Sequence, residues 1–385
     1  MRYIGLVLLF CFVFAGCVTT SLPPVTQDSR LEDDETRLWL RFEETEKWIQ
    51  KSGLIYDDEG LEIYLNDISQ KLQPPDTLKN ISFRIKIIKY HLPNAFSFPT
   101  GLIIIDTGAL SRLENEAQLA TILGHEMIHT THRHALKKFR DTKNKSAFLA
   151  TITYGTGGLG GIIGALGALA TVMSYSRELE TEADTEGLKL MVGAGYDPRE
   201  ATKFYLHMRK EYEEEKIKEE HFLGTHPRFQ ERAENYENLL KTKYKDNQSG
   251  IQNSEIFKEK IHRVILDNAS LDLKAGRFKI AERGVDKYLS IKSTDPKAYC
   301  LLGEIYRQKA EKGDLEKAKE HYQKAISIDP SYPDAHKGMG LIYFKQGEKE
   351  LAKKSLELYL SISPQAMDRI YIEEYIKQCQ GGKKP

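Results

Sequence analysis

Apolar residues recur at helical spacing along most of the chain, and only one short region departs from that pattern. Helices are expected at residues 31–51, 61–72, 114–138, 177–192 and 198–214. In the departing region, residues 81–90 (ISFRIKIIKY) alternate apolar and charged side chains, and 94–98 and 102–106 are short extended segments. The pattern therefore predicts a mainly α-helical fold with a small β-sheet.

The C-terminal third of the chain is built from a repeat. Small residues, aromatic residues and prolines recur in one order, as Gly303, Tyr306, Ala318, Tyr322, Ala325 and Pro330, and then as Gly340, Tyr343, Gly347, Ala352 and Pro364. A weaker copy occupies residues 269–296. The two prolines are 34 residues apart, which is the tetratricopeptide period. Residues 261–380 are therefore predicted to form an α-helical tetratricopeptide solenoid with a capping helix at 367–380, after a linker at 241–260.

An apolar, glycine-rich segment lies between these regions. Residues 147–175 contain no charged side chain, and seven glycines fall between Gly155 and Gly167. The length would allow a membrane-spanning helix, but glycine weakens helices. We favour a mobile apolar loop followed by a helix, which serves as a lid or contacts membrane or an unfolded client.

The N-terminus indicates export. Met1 and Arg2 precede an apolar run at residues 3–15, and Gly16-Cys17 then resembles a bacterial lipoprotein processing site. Residues 1–17 are thus predicted to be a lipoprotein signal peptide with lipid on Cys17, and 18–60 a tether and an N-terminal helix. An uncleaved membrane anchor is the alternative. Either places the folded body outside the cytoplasm. Val18 follows Cys17 in place of the aspartate that would hold a lipoprotein at the inner membrane, and this resemblance favours the periplasmic face of the outer membrane.

The amino-acid composition excludes few classes of function. Lys+Arg and Asp+Glu are both 56, so the formal net charge of +0 gives no argument for a nucleic-acid partner. Cys300 and Cys379 remain in the mature chain. In an oxidising compartment they form either a disulfide or two buried free thiols.

The main chemical signal is His125-Glu126-Met127-Ile128-His129. Two histidines four residues apart project from the same helical face, one turn above the other, so both imidazoles reach one metal ion. A glutamate directly after the first histidine is placed to act as the general base of a metallopeptidase. His132 is seven residues from His125, which is about 10 Å along a helix and too far to share the ion.

A third ligand is expected on a following helix, and residues 178–184 (ELETEAD) supply the candidates. Glu180 and Asp184 are one turn apart on one face, a spacing that suits a ligand and a carboxylate orienting a ligand histidine. Glu178 and Glu182 fall on another face, which is more often exposed to solvent.

His-Glu-x-x-His followed by Glu-x-Glu-Ala-Asp resembles the gluzincin metallopeptidases of the CAAX prenyl protease/BepA type. Arg133-His134 matches the end of that family's metal-binding helix, and Asn94-Ala95-Phe96 resembles its edge strand, along which substrate adds. Pro99-Thr100-Gly101 departs mildly from the family's Pro-Gly-Gly. His226 with Arg232, six residues apart, matches a pair assigned to the substrate carbonyl. The resemblance covers residues 61–240 and implies a zinc metallopeptidase domain.

The resemblance implies the roles of the site residues. One Zn²⁺ ion is bound by His125, His129 and Glu180, with Asp184 behind the ligands. Glu126 is the general base that takes a proton from the attacking water and returns it to the leaving amine. His226 and Arg232 stabilise the oxyanion, a role whose loss typically costs about 100–1000-fold in rate.

Two functions are compatible with this sequence. The first is a zinc endopeptidase of the bacterial cell envelope that degrades misfolded or stalled envelope and outer-membrane proteins. The second is a chaperone or assembly scaffold whose repeats dock an outer-membrane assembly complex, with the protease mostly autoinhibited. His226 is a candidate for that inhibition, because its segment would be able to swing onto the open metal position.

Overall fold

The computed structural model describes residues 22–26, 29–73, 81–155, 169, 172–215, 229–247 and 249–380. The helices before the repeats are α1 (Asp33–Lys51), α2 (Glu59–Leu72), α3 (Thr107–Arg112), α4 (Glu116–Thr131), α5 (His134–Asp141), α6 (Lys145–Gly155), α7 (Arg177–Gly193), α8 (Arg199–Glu215) and α9 (Phe229–Thr242). The later helices are α10 (Ser254–Lys274), α11 (Phe278–Ile291), α12 (Pro296–Lys309), α13 (Asp314–Ile328), α14 (Pro333–Gln346), α15 (Lys349–Ile362) and α16 (Arg369–Cys379). The predicted fold class, mainly α-helical with a small sheet and a C-terminal solenoid, is confirmed.

The strands β1 (Arg84–Ile88), β2 (Ala95–Ser97) and β3 (Leu102–Asp106) form a sheet in the order β1-β3-β2. β1 runs parallel to β3, and β2 runs antiparallel to it. All five residues of the central strand are buried, which explains its unbroken apolar sequence. The Ser97 hydroxyl donates a hydrogen bond to the Glu126 carbonyl at 2.8 Å, so β2 lies directly against α4.

The predicted single helix over residues 114–138 is wrong, because it is broken after Thr131. Arg133 has a φ of +55°, in the left-handed region, and α5 begins at the next residue in a new direction. The break contains neither glycine nor proline. Arg133 is buried, and its Nε lies 3.2 Å from Glu35 Oε1 on α1. This tertiary contact holds a conformation that costs about 1–2 kcal/mol locally.

Helices α10 to α15 form three antiparallel pairs, and α16 packs on the last of them. The predicted linker at 241–260 is largely attached to the first domain, and α10 already begins within it. The amide of Ile251 donates to Gly195 O at 2.9 Å, and the amide of Asp197 donates to Ile251 O at 3.1 Å. The apolar core of the first domain also continues into α10.

Buried charges join the first domain to the repeats. Arg112 Nε on α3 lies 2.8 Å from Glu211 Oε1 on α8, and Arg277 Nη1 lies 2.9 Å from Asp272 Oδ1 on α10. Arg112 Nη2 is 3.5 Å from Asp272 Oδ2. Since each buried charge faces an opposite one, the junction is ionically matched as well as apolar.

Three further predictions concern a membrane span, the glycine-rich segment and the two cysteines. None of the described helices is both long and apolar enough to cross a bilayer. Residues 145–155 form α6 and not a loop, while most of the glycine-rich segment, like Cys17, lies outside the described residues. Cys300 and Cys379 are buried free thiols.

Candidate active site

Helix α4 places both histidines of the motif in the protein interior. Its N-terminus is capped by Asn115, whose side chain accepts a hydrogen bond from the Gln118 amide at 2.9 Å. His125 and His129 are each 2% exposed. Their Nε2 atoms are 2.9 Å apart, so the two rings converge on one point as the four-residue spacing predicts.

Helix α7 brings Glu180 to the same point. Ser176 caps this helix through a hydrogen bond from the Leu179 amide. Glu180 Oε2 lies 3.4 Å from His125 Nε2, and Oε1 lies 3.5 Å from His129 Nε2. Two imidazole nitrogens and one buried carboxylate are the donor set of a catalytic zinc site with an open position. The residues present therefore fit a zinc ion.

Asp184 lies one turn further along α7, behind His125. Its Oδ1 is 2.9 Å from His125 Nδ1, as an orienting carboxylate requires, and it accepts a hydrogen bond from the Tyr236 hydroxyl at 2.8 Å. Burial raises the pKa of Asp184, but Arg232 and His125 lower it further, so the pKa lies below its ordinary value. Asp184 is therefore ionised and able to accept the Nδ1 proton.

Arg232 lies against Asp184, and its Nη1 is 3.9 Å from Glu180 Oε2. Its Nη2 lies 2.5 Å from Asp184 Oδ1 and 2.8 Å from His125 Nδ1. If His125 binds metal through Nε2, its Nδ1 carries the proton. The Arg232–His125 contact is then between two donors that share Asp184 Oδ1. The guanidinium is also 4.3 Å from the Tyr205 ring centroid. These contacts are those of a residue that holds Asp184, and the predicted contact of Arg232 with the oxyanion stays a prediction.

A second cluster behind His129 was not predicted. His134 Nδ1 lies 2.7 Å from His129 Nδ1, and His134 Nε2 lies 3.3 Å from Glu182 Oε2. His132 Nδ1 is 2.5 Å from Glu182 Oε1. Burial lowers the pKa of His134 to about 4, so its ring is neutral. His134 and His132 lower the pKa of Glu182 to about 2, so its carboxylate is ionised, and its side chain is 36% exposed at the edge of this cluster.

Tyr175 is another residue that the sequence did not indicate. Its ring stacks on the His129 ring with a centroid separation of 4.2 Å and an interplanar angle of 19°. Burial and the carboxylates of Glu126 and Glu180 raise the pKa of Tyr175 well above its ordinary value, so the hydroxyl keeps its proton. No motif marked this residue, which is the last of the apolar segment at 147–175.

An apolar cavity opens beside Glu126. It is lined by Pro93, Asn94, Ala95, Ala109, Ile122, His125, Glu126, Phe204, Tyr205, Met208, Phe229 and Arg232. The lining combines the catalytic candidates Glu126 and Arg232 with mostly apolar and aromatic walls, which suit an apolar group.

The other predicted site residues have mixed outcomes. Asn94 and Ala95 border the cavity, and Ala95 and Phe96 belong to β2, which ends the sheet among the described strands. His226 lies outside the described residues. Its predicted contact with the oxyanion therefore stays a prediction.

Comparison with known proteins agrees with this geometry. Residues 59–240 match the model of Peptidase family M48, and residues 307–347 and 338–365 match models of the tetratricopeptide repeat. Mitochondrial metalloendopeptidase OMA1 of Arabidopsis thaliana is 30% identical over 159 residues, which are 41% of this chain and 32% of that protein. The Schizosaccharomyces pombe OMA1 is 30% identical over 178 residues, 46% of this chain and 52% of that protein.

Beta-barrel assembly-enhancing protease of Escherichia coli (strain K12) is 24% identical over 161 residues, 39% of this chain and 33% of that protein. The match thus spans between about a third and a half of the length of these curated relatives. Within this chain the family match covers both the His-Glu-x-x-His helix and Glu180. The chain therefore contains a metallopeptidase domain of Peptidase family M48 followed by C-terminal tetratricopeptide repeats.

Proposed function

We propose that this chain is a zinc-dependent endopeptidase. The observation that carries the proposal is the convergence of His125 Nε2, His129 Nε2 and a Glu180 carboxylate oxygen, all within 4.8 Å of one another, in a buried site next to Glu126. The metal would be held by these three residues. Bound zinc supplies a Lewis acid that polarises the scissile carbonyl and makes water nucleophilic near neutral pH.

The chain's own residues do the remaining work. Glu126 follows His125 on α4 and lines the apolar cavity, so its carboxylate is placed to take a proton from the attacking water and transfer it to the leaving nitrogen. Asp184 accepts the Nδ1 proton of His125 and keeps that ring in one tautomer. The cavity walls orient an apolar side chain of the substrate and exclude water from it.

The test is a comparison of wild type with Glu126→Gln. We expect wild type to contain about one zinc per chain and to degrade casein, and the variant to keep the zinc and lose the degradation. A chelator should abolish wild-type degradation, and added zinc should restore it. Equal degradation by the two proteins, or no metal in wild type, would contradict the proposal.

We propose misfolded or stalled envelope proteins, including outer-membrane proteins, as the substrates. Three features support this: the lipoprotein-like start with Cys17, the repeats that follow the peptidase domain, and the name of the Escherichia coli relative, which refers to β-barrel assembly. Lipidation would place the enzyme on the periplasmic face of the outer membrane. Labelling with radioactive palmitate, lost in Cys17→Ala, tests the anchor. An unlabelled wild type found in the soluble periplasmic fraction would contradict it.

The second candidate function is that of a scaffold, and it has its own structural support. The first helices of the repeats and α16 line a groove that carries both charged and aromatic side chains. Among them are Lys297, Arg307, Tyr371 and Tyr375, and the aliphatic Leu341 also lines the groove. Such a concave surface suits an extended peptide or a partner loop.

Point variants are better suited to test this function than deletion of the repeats, because the core of the first domain continues into α10. We expect Leu341→Glu and Tyr371→Ala to lose co-purification of the outer-membrane assembly complex while casein degradation continues. Leu358→Glu, at an exposed position of α15, is the matched control. Unchanged co-purification in the groove variants would exclude this surface as the docking site.

We also propose that His226 inhibits the peptidase. A histidine entering the open metal position would block access of water and substrate. His226→Ala should then gain activity toward casein, whereas a loss of activity would favour the oxyanion role.

A further inference from the structure

The unexplained feature of the site is the pair of histidines at its rear. His129 Nδ1 points away from Glu180 and lies 2.7 Å from His134 Nδ1. His134 is 0% exposed. Its other ring nitrogen, Nε2, lies 3.3 Å from Glu182 Oε2 on α7. The three side chains therefore form a line that begins at a proposed metal ligand and ends at a carboxylate.

The positions of the protons along this line follow from simple chemistry. A neutral imidazole has one protonated nitrogen and one with a lone pair. If His129 gives the lone pair of Nε2 to the metal, its proton is on Nδ1. That N–H must then donate to His134 Nδ1, which leaves the proton of His134 on Nε2, where it faces the negative Glu182 carboxylate at 3.3 Å without a well-aligned hydrogen bond. This assignment gives the Nδ1–Nδ1 contact one donor and one acceptor, and it places the remaining N–H of His134 next to a carboxylate.

We propose that His134 and Glu182 are positioning residues for His129, and that they fix its tautomer and ring orientation as Asp184 does for His125. The inference rests on the proposed metal site. The two ligand histidines then have different partners. His125 contacts a carboxylate directly, whereas His129 contacts an imidazole that in turn contacts a carboxylate. Such partners typically change metal affinity by about 10–100-fold.

The same cluster does not suit a second metal ion. His132, His134 and Glu182 present ligand atoms within 4.8 Å of one another. A metal on His134 Nε2 would, however, move the proton of that ring to Nδ1, where it would face the Nδ1 proton of His129 at 2.7 Å. Lys137 Nζ also lies 3.6 Å from Glu182 Oε2 and already neutralises part of the carboxylate charge.

The break between α4 and α5 makes this arrangement possible. In a continuous helix, residues five apart point in directions roughly 140° apart, so His134 would face away from His129. The left-handed conformation of Arg133 turns the chain instead and brings His134 beneath the His129 ring. Glu182 holds the other end, supported by His132 at 2.5 Å.

The test is the zinc affinity of the full-length protein, measured by competition with a chromophoric chelator after zinc has been removed. We expect His134→Ala and His134→Phe to bind zinc about 10–100-fold more weakly than wild type. His134→Asn places an acceptor oxygen near the position of Nδ1, so it should recover to within about threefold of wild type. Glu182→Gln should lose less zinc affinity than His134→Ala, because Glu182 is one contact further from the metal.

His132→Ala is the near control, since His132 touches Glu182 but is not in the line to His129. We expect its zinc affinity to stay within about threefold of wild type. Equal affinity of wild type, His134→Ala and His134→Phe would overturn the inference, and so would an equal loss in His134→Asn and His134→Phe. A wild type that binds no zinc would instead refute the metal site itself. If His134→Ala fails to fold, the contrast between Phe and Asn decides the question.

Discussion

Gly124 on α4 and Gly187 on α7 meet backbone to backbone. A Cβ atom on Gly187 would lie 2.7 Å from the amide nitrogen of His125, and one on Gly124 would lie 2.8 Å from Gly187 O. The two helices therefore approach as closely as they do because neither residue has a side chain. This contact sets the distance between the histidines of α4 and Glu180 of α7.

Gly187→Ala is expected to separate the two helices. The added methyl group meets backbone atoms that cannot rotate away, and such overpacking typically costs about 1–3 kcal/mol of unfolding free energy. We also expect weaker zinc binding, because Glu180 moves relative to the histidines. Thermal unfolding and zinc competition measure the two effects.

Gly193→Ala is the matched control on the same helix, since a Cβ there meets nothing within 4 Å. It should leave zinc affinity unchanged and unfolding free energy unchanged or slightly higher. If both variants behave alike, close packing of α4 and α7 does not set the geometry of the site.

Asp184→Asn is expected to be strongly destabilising. The side chain of Asp184 is 2% exposed and accepts hydrogen bonds from Arg232 and Tyr236, so the change leaves the Arg232 charge buried without its main partner. Removing one member of a buried ion pair typically costs about 3–5 kcal/mol. Zinc affinity should fall about 10–100-fold, because His125 loses its orienting carboxylate.

The control for this variant is Glu186→Gln, which lies on α7 and pairs at the surface with Lys189 at 3.2 Å. Exposed pairs of this kind contribute about 0–1 kcal/mol, so unfolding by urea should be almost unchanged. If Asp184→Asn changes the unfolding free energy as little as the control does, Arg232 does not depend on the Asp184 charge.

Ala109→Leu is expected to change which peptides are cleaved. Ala109 is buried on α3 and lines the apolar cavity beside Glu126. A larger side chain there fills space that the substrate would occupy. We expect kcat/KM for peptides with leucine at the pocket position to fall about 10–200-fold, while peptides with glycine at that position are cleaved as before. An equal loss on both peptides would indicate a general defect and not a specificity pocket.

Asp197 should contribute to stability in a defined pH range. Hydrogen bonds from Arg199 and Gln252 lower its pKa to about 2, below the value of about 3.9 in an unfolded chain. Because the folded-state pKa is the lower one, this contribution is fully present above about pH 4 and is lost as the pH falls through 2. The difference in unfolding free energy between wild type and Asp197→Asn should therefore shrink over this range. A difference that does not vary from pH 5 to pH 2 would contradict the assignment.

Much of the architecture was predictable because it depends on local spacing. The strand at residues 102–106 is found where its apolar run placed it, and the helices at 177–193 and 199–215 differ from expectation by a residue or so. The repeats were predictable for the same reason, since each helix pair repeats its own small and aromatic positions. The convergence of His125 and His129 also follows from helical periodicity alone.

Other features depend on contacts between distant segments. Nothing in residues 114–138 signals that the helix ends at Thr131, because the left-handed Arg133 is held by Glu35 on another helix. The contacts of Glu182 with His132 and His134 were not predicted, because these two histidines come together only after that break.

Within the site, the contacts of Arg232 also depend on distant segments of the chain. A family pattern indicated that Arg232 belongs to the active site, but its contact with Asp184 depends on how α9 packs against α7. The sequence by itself determined which residue types are one helical turn apart, and with them the two histidines and the neighbouring base. The tertiary structure decided which acid reaches the histidines and which residues support them, because those choices depend on helix packing over separations of tens of residues.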